Sequence, residues 1–312
     1  MNAMRSLLCR AAMASLLVVA AVCCRHKELC YDHSYLVEIE VNFDWSKCPD
    51  ATPRTMVLQL FAPDGRHYNR YEFGSPQGGV IRVHAGTYKM LFHNGDMDNV
   101  VERGSTYDAY EVTTIDRALL APIGRGTEAP RPSGAQGQPV RYAPEMIWAG
   151  RCGLTEVRSG QQRQSVTLVP EEATVVYTVE ILNVENLGAT AGIGGAFTGL
   201  AESYSPARGA GAGSSVTVPL DLKRVDERTL TTRFVAFGHC PVGPEQHTFS
   251  VYTTSKWFYH FDVTEQLHGA SDPRNVRVVI DGLKLPDEPS GGMDTSVSDW
   301  NDNVIETDVN MH

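Results

Sequence analysis

The sequence has little of three things: long apolar runs, basic charge, and motifs for catalysis or metal binding. Its longest largely apolar stretch, residues 11–22, is shorter than the ~20 residues of a membrane-spanning helix. Acidic residues outnumber basic ones by 37 to 27, and this net charge of −10 argues against proteins that neutralise nucleic-acid phosphates. No G-x-S-x-G, H-E-x-x-H, P-loop or C-x-x-C motif occurs. We therefore expect no nucleic-acid partner, no cofactor, no metal site and no catalytic residue.

What is present describes an ordinary globular chain. The 312 residues are enough for two domains of roughly 100–150 residues each. With 42% hydrophobic and 21% charged residues, the chain has the apolar surface that a packed core requires.

The N-terminus has the features of an export signal. Arg5 and Arg10 precede the apolar residues 11–22, and the chain turns polar at Arg25. A cysteine directly after such a stretch is where bacterial lipoproteins are acylated, and we predict lipidation at Cys24, with Cys23 as the alternative register. Residues 1–23 would then be the signal peptide and residues 24–34 a tether. A conventional secretory signal and an uncleaved anchor remain alternatives.

The other cysteines are candidates for disulfides. Removing residues 1–23 takes away two arginines and no acid, which leaves 25 basic and 37 acidic residues and a net charge of −12. Four cysteines remain besides Cys24, an even number in an exported chain: Cys30, Cys48, Cys152 and Cys240. The sequence does not choose among their three pairings, and they lack the spacing of a zinc site.

Alternation with a period of two dominates the chain after the tether. In the segment 36–43, the residues Val37, Ile39, Val41 and Phe43 fall on one face, which predicts a half-buried strand. Similar short segments, separated by turn residues, predict a β-sandwich domain at 35–170 and a second one at 171–289. Residues 124–144 are rich in Gly and Pro and predict a surface loop of the first domain. An acidic segment, 290–312, follows and is either a final strand or a segment that binds another subunit.

Several local groupings have a plain and a functional interpretation. The glycine-rich segments 192–195 and 209–213 are read as flexible loops, because neither joins a parallel strand to a helix as phosphate-binding loops do. Carboxylates at 96–99 and 299–303 have calcium-ligand chemistry but not the twelve-residue loop pattern, so turns are favoured. His239 next to Cys240 is read as a loop histidine rather than half of a catalytic dyad.

The string Cys24-Arg25-His26-Lys27-Glu28-Leu29-Cys30 resembles the start of mature fimbrillin-like lipoproteins of Bacteroides and its relatives. Further similarities are Phe43-Asp44-Trp45, the segment 86–96, the segment 197–203, and Leu283-Lys284-Leu285-Pro286. The resemblance covers essentially the whole mature chain. It implies an all-β fold of two tandem transthyretin-like, Greek-key sandwich domains.

The resemblance also implies a function. Members are similar to anchor or accessory subunits of fimbria-like filaments, held on the outer membrane by N-terminal acyl chains and exposed at the cell surface. The expected partners are that membrane and fimbrillin-like subunits. The alternatives are a surface lipoprotein that binds a glycan or host protein, and a hydrolase whose carboxylates come from distant strands.

Overall fold

Strands make up nearly all of the regular structure. The computed structural model describes residues 36–126, 128–160, 163–190, 192–240, 246–287 and Trp300. Within these ranges there are eighteen strands, a 3₁₀ turn at Ala121–Ile123 and a five-residue helix, α1, at Thr264–His268. No helix among the described residues is long and apolar enough to cross a membrane. Apart from Leu36, these residues belong to one compact unit that begins at Val37.

In chain order the strands are β1 (Leu36–Phe43), β2 (Met56–Phe61), β3 (His67–Phe73), β4 (Gly78–His84), β5 (Gly86–Asn94), β6 (Val100–Arg103), β7 (Glu111–Thr114), β8 (Trp148–Val157), β9 (Gln164–Leu168), β10 (Glu171–Glu172), β11 (Val175–Glu185), β12 (Ile193–Ser205), β13 (Ala210–Asp221), β14 (Lys223–Arg224), β15 (Leu230–Ala236), β16 (Thr248–Thr253), β17 (Phe258–Asp262) and β18 (Asn275–Lys284).

The first half of the chain forms two sheets that share a core. One has the order β4-β1-β9, in which β1 and β9 run parallel, and the other has the order β10-β8-β5-β2-β3. Ile39, Val41 and Phe43 of β1 are buried against β2 and β5 residues such as Leu58 and Phe92. The alternation in the sequence thus points the apolar face of β1 at the second sheet, as a sandwich requires.

The second half repeats this plan. A four-stranded sheet has the order β14-β15-β11-β18, and a second sheet has the order β17-β16-β12-β7-β6, with β13 paired to the other side of β12. Tyr177 of β11, Phe197 of β12 and Phe234 of β15 pack ring against ring in the shared core. The prediction of an all-β sandwich fold is confirmed, whereas the transthyretin-like topology remains a prediction.

The hairpin β6–β7 connects the two halves. It lies within the first predicted domain, yet β7 pairs with β12, where Thr113 is opposite Ser203 and Val112 is opposite Tyr204. A third apolar cluster contains residues of both halves: Phe61, Leu91, Tyr110, Val112, Ile147, Ala149, Ala173, Ala201, Tyr204 and Phe237. The domain limits 35–170 and 171–289 remain a prediction, but the structure places a shared sheet and a shared core across residue 171.

Two predictions about loops were wrong. The glycine-rich segments 192–195 and 209–213 are largely strand, at the starts of β12 and β13. Glycine is suited to these positions because a Cβ on Gly195 would lie 2.8 Å from the Phe249 ring, and one on Gly211 would lie 2.9 Å from the Phe237 carbonyl oxygen. These glycines allow close packing and are not a sign of flexibility.

The loop 124–144 is only partly at the surface, and it packs on the second half of the chain. The Thr217 amide of β13 donates to Pro139 O at 2.9 Å, and the Arg141 amide donates to Thr217 O at 3.0 Å. Gln138 is nearly buried, and its Oε1 accepts from the Gly199 amide at 3.2 Å. The loop is therefore built into the outer side of β13.

Candidate functional site

The predicted lipidation site and much of the C-terminal segment lie outside the described residues. This applies to Cys23 and Cys24, to the signal peptide 1–23, to the tether 24–34, and to residues 290–312 except Trp300. Lipidation at Cys24 therefore stays a prediction.

The predicted disulfide cysteines that the structure describes lie in three different places. Cys48 is buried in the loop after β1, where its Sγ donates to Pro170 O at 3.7 Å and burial raises the pKa of its thiol. Cys152 on β8 lies 3.5 Å from Thr155 Oγ1, and neither Cys48 nor Cys152 is in a disulfide. Cys240 follows β15 and contacts Gly213 O. Because Cys30 is outside the described residues, its pairing remains a prediction.

The carboxylates considered for calcium do not form a metal site in the part of the chain that the structure describes. There, no group of three or more His, Cys, Asp or Glu side chains is placed to hold a metal ion. Asp96 instead accepts from the Arg54 amide at 2.9 Å, which joins the turn after β5 to the segment before β2. The second candidate, 299–303, lies outside the described residues apart from Trp300.

An ion-pair network lies where the hairpin β6–β7 meets β12, and we call Arg103, Glu111, Arg141, Glu202 and Ser203 the junction cluster. Arg103 donates to Glu202 Oε1 at 2.8 Å and twice to Glu111 Oε2, at 2.8 and 3.0 Å. Arg141, from the loop 124–144, donates to the same Glu202 oxygen at 3.1 Å. Ser203 Oγ donates to Glu111 Oε2 at 2.8 Å. The cluster thus joins β6, β7, β12 and the loop.

The electrostatics of the junction cluster are those of a structural network. The hydrogen bond from Arg103 holds the pKa of Glu202 at about 2, against the opposing effect of burial. Both Glu202 oxygens are occupied, since the amide and the hydroxyl of Ser214 donate to Oε2 at 3.3 and 3.0 Å. A carboxylate held ionised in this way is a poor proton donor or acceptor near neutral pH. The cluster is suited to holding the halves together rather than to chemistry.

A second polar group lies beside β6, where His93 and Tyr110 are buried and Arg70 is exposed. Arg70 donates to both oxygens of Glu102, and His93 Nε2 lies 2.9 Å from the Tyr110 hydroxyl. Burial raises the pKa of Glu102, but hydrogen bonds from His93 and Arg70 outweigh it and bring that pKa to about 2. Burial also raises the pKa of Tyr110 well above its usual range. The hydroxyl is kept neutral and the carboxylate charged, which again favours a fixed network.

Three histidines from the second half cluster beside β16. The ring centroids of His239, His247 and His268 are 5.2–5.9 Å apart. Burial, reinforced by the two neighbouring rings, lowers the pKa of His247 to about 4. At neutral pH this buried ring is therefore uncharged.

The edge of β18 is a candidate surface for pairing with another chain. This ten-residue strand lies at the end of its sheet, parallel to β11. Gln266 of α1 covers its middle: Gln266 Oε1 accepts from the Val279 amide at 2.8 Å, and Gln266 Nε2 donates to Val279 O at 2.9 Å. An amide side chain here takes the place of a neighbouring strand, and unpaired strand edges are where other chains add.

Sequence reasoning did not find these features, because their partners are far apart in the chain. Arg103 and Glu202 are separated by 99 positions, and His93 on β5 is separated by 17 positions from Tyr110, which precedes β7. Gln266 lies on a helix of only five residues, too short for a clear helical period. His239 was singled out in the sequence for its neighbour Cys240, not for the two histidines it contacts.

Comparison with known proteins places the chain in a family. The profile of a family described as a domain of unknown function, DUF5119, matches residues 23–221, more than half of the chain. The chain belongs to this family. The DUF5119 match begins next to the predicted lipidation site and extends through β13.

Individual relatives agree with the resemblance seen in the sequence. Fim4B of Bacteroides ovatus, whose name describes a fimbrium anchoring subunit, is 22% identical over 228 residues, which cover 72% of this chain and 63% of Fim4B. The chain thus spans less than two thirds of that relative. The resemblance to fimbrial anchor proteins is confirmed.

Solved structures share the fold. A protein from Bacteroides ovatus, titled as an adhesin, matches with a TM-score of 0.59 and 17% identity over 80% of this chain and 94% of its own. The fimbrial anchor protein Mfa2 of Porphyromonas gingivalis matches with a TM-score of 0.52 and 15% identity over 78% of this chain and 90% of its own. At these identities the likeness shows the fold alone.

Proposed function

We propose that this protein is an outer-membrane lipoprotein that anchors fimbria-like filaments, or serves as their accessory subunit, and has no catalytic role. The observation that carries the proposal is the likeness in sequence to Fim4B, a protein named as a fimbrium anchoring subunit, over 72% of this chain. The fold shared with the anchor protein Mfa2 supports it.

The sequence supplies a means of attachment. Cys24 follows the apolar stretch 11–22, and the DUF5119 match starts at residue 23. Acyl chains on Cys24 would hold the N-terminus in a membrane, since each buried methylene contributes about 0.8 kcal/mol and two chains suffice for stable attachment. The tether 24–34 then links that anchor to the folded body.

The folded body has the properties that a filament anchor needs. The edge of β18 is where we expect a strand from another subunit to add, in place of the Gln266 amide that covers Val279. Main-chain hydrogen bonds would give such a strand affinity, and alternate side chains would give it specificity. The junction cluster and the shared sheet tie the first half to the second. A pull on the second half is therefore transmitted to the tethered first half through hydrogen bonds and ion pairs.

Lipidation is tested with cysteine variants of the full chain, expressed in a bacterium that makes lipoproteins. Cys24→Ala should abolish labelling by a clickable fatty acid and release the protein from the membrane fraction. Cys30→Ala, six positions away, is the matched control and should keep both properties. If Cys24→Ala is labelled and Cys23→Ala is not, acylation is at Cys23. Labelling of both variants would contradict a lipoprotein anchor at this position.

The filament role is tested by affinity capture of the tagged full chain from detergent-solubilised outer membranes. Fimbrillin-like subunits should co-purify with the wild type. The alternative function, capture of a glycan or host protein, is favoured only by the fold shared with an adhesin. Saturable binding on a glycan array without co-purifying subunits would support that alternative and contradict the anchor proposal.

A further inference from the structure

A groove of about 940 Å³ lies between the loop 124–144 and the turn that carries Lys256. Its apolar lining includes Leu120, Ala129 and Val140. Its charged lining consists of three cations and one acid: Arg125, Arg131, Lys256 and Glu128. The groove is thus apolar within and mainly basic at its rim, and the proposed anchoring role makes no use of it.

Trp300, from the acidic C-terminal segment, forms part of the wall of this groove. Its Nε1 donates to Glu128 O at 3.1 Å. Its ring lies edge-to-face with Tyr252, at a centroid distance of 5.8 Å, and with Phe258 at 6.3 Å. The indole therefore has both a partner for its N–H and an apolar wall for its ring, the two conditions under which tryptophan is held firmly.

Arg131 in the same groove has no carboxylate partner among the residues that the structure describes. Its Nη1 donates to the carbonyl oxygens of Ala135, Gln136 and Gln138 at 2.8–3.2 Å. Its Nη2 is buried and has no hydrogen-bond partner among the described residues, and Arg131 forms no ion pair with any of them. Burial lowers the pKa of this guanidinium. A desolvated cation is costly unless a carboxylate meets it.

The segment that carries Trp300 has the complementary charge. Residues 287–312 contain seven acidic residues and no lysine or arginine: Asp287, Glu288, Asp294, Asp299, Asp302, Glu306 and Asp308. Asp299 directly precedes Trp300, and Asp302 lies two positions after it. Opposite charges attract most strongly at low salt, so a segment of this composition is complementary to the basic side chains of the groove that Trp300 lines.

We propose that this groove is the binding site for the protein's own acidic C-terminal segment, in which Trp300 is the anchor and the carboxylates beside it neutralise Arg131. The occupant that we propose is the segment of the same molecule, held through Trp300. This inference does not depend on the anchoring function, because it concerns a contact within one chain.

The test measures competition between the segment and a peptide of the same sequence. The probe is a synthetic peptide of residues 294–306 with an N-terminal fluorophore, followed by fluorescence anisotropy. Full-length Trp300→Ala should bind it saturably, whereas the wild type, whose groove is occupied, should bind at least about tenfold more weakly. Trp300→Phe should fall between the two. Binding to Trp300→Ala should weaken as salt is raised.

Charge variants test the second half of the inference. In the Trp300→Ala background, Arg131→Gln should reduce peptide binding at least about tenfold, the size of one lost charge-assisted hydrogen bond. Because Arg131 also supports the loop, the exposed rim variant Arg125→Gln provides a second measurement, with a smaller loss. A peptide with Asn at positions 299 and 302 should bind more weakly than one with Asn at position 294 and Gln at position 306.

Two results would overturn the inference. One is equal peptide binding by wild type and Trp300→Ala, or none by either. The other is a wild-type dimer that Trp300→Ala converts to a monomer in sedimentation velocity, because Trp300 would then enter the groove of a second copy. A monomeric wild type that excludes the peptide supports the contact within one chain.

Discussion

Replacing Glu202 by glutamine should weaken the connection between the halves of the protein. The change keeps the shape of the side chain but removes the charge that Arg103 and Arg141 share. Glu202 is 9% exposed, so the two guanidinium groups would be left facing a neutral amide in a largely dry site. Breaking a buried ion pair lowers the free energy of unfolding by about 3–5 kcal/mol. Because both arginines are partly exposed, we expect Glu202→Gln to lower it by about 2–4 kcal/mol.

The pH dependence gives an independent measure of the same contact. The pKa of Glu202 is lowered from 4.5 to about 2 in the folded protein. The contribution of the ionised Glu202 to the free energy of unfolding is therefore complete above pH 4.5 and is lost as the pH falls towards 2. This contribution is at most about 3 kcal/mol, because a pKa shift of one unit corresponds to about 1.4 kcal/mol. Glu202→Gln has no such group, so its stability should fall less steeply over this acidic range than that of the wild type.

The assay is equilibrium unfolding in urea, followed by circular dichroism at several pH values. With a slope near 3 kcal/mol per molar, the midpoint at neutral pH should fall by about 1 M. The control is Glu156→Gln, which removes an exposed carboxylate paired with Arg158 at 2.7 Å and should leave the midpoint unchanged. Two results would refute a role of the junction cluster in holding the halves together. One is a midpoint change for Glu202→Gln no larger than that of the control, and the other is a decline in stability at acidic pH as steep as that of the wild type.

Three further predictions concern the edge of β18, the β6–β7 turn and the buried histidine. Gln266→Ala removes both hydrogen bonds to Val279, so it should lower the free energy of unfolding by about 1–3 kcal/mol and increase self-association in sedimentation velocity. The control Gln246→Ala, which removes a hydrogen bond to the exposed Asp262 carboxylate, should do neither. Gly104→Ala should unfold at much lower urea than Gly134→Ala: both have positive φ, +89° and +79°, but only the Gly104 Cβ would meet a carbonyl oxygen, at 2.0 Å. The pKa of His247 is about 4 in the folded protein and about 6.5 when unfolded, so wild-type stability should decline as the pH falls from about 6.5 to about 4. His247→Gln should make that decline shallower. A variant whose stability depends on pH as the wild type's does would contradict the burial of a neutral ring.

Most strands were predictable because their pattern is local. In β1 the alternation of Ile39, Val41 and Phe43 with polar residues predicts which face is buried, and these three side chains are buried in the structure. The turn at Pro63–Arg66 separates β2 from β3 as its Asp-Gly pair predicts. Period-two alternation survives in the sequence wherever one face of a sheet meets solvent.

The connections between the halves were not predictable for the opposite reason. β6 and β7 have four residues each, too few for alternation to be distinguished from chance. The glycines at 192–195 resemble a loop by composition, and only the nearby Phe249 ring explains them as strand. The contact of Trp300 with Tyr252 and Phe258 depends on the folded body, which no local spacing encodes.

The pairing of β7 with β12 has a consequence for the order in which the chain folds. A chain is synthesised from its N-terminus, so the β6–β7 hairpin emerges long before Ser203 and Tyr204, with which β7 pairs. Until about ninety further residues have followed Thr113, the hairpin has an open edge and the third apolar cluster lacks Ala201 and Tyr204. The first half therefore completes its folding only after much of the second half has been synthesised, and during that interval the open edge of β7 is where a chaperone that covers strand edges would bind.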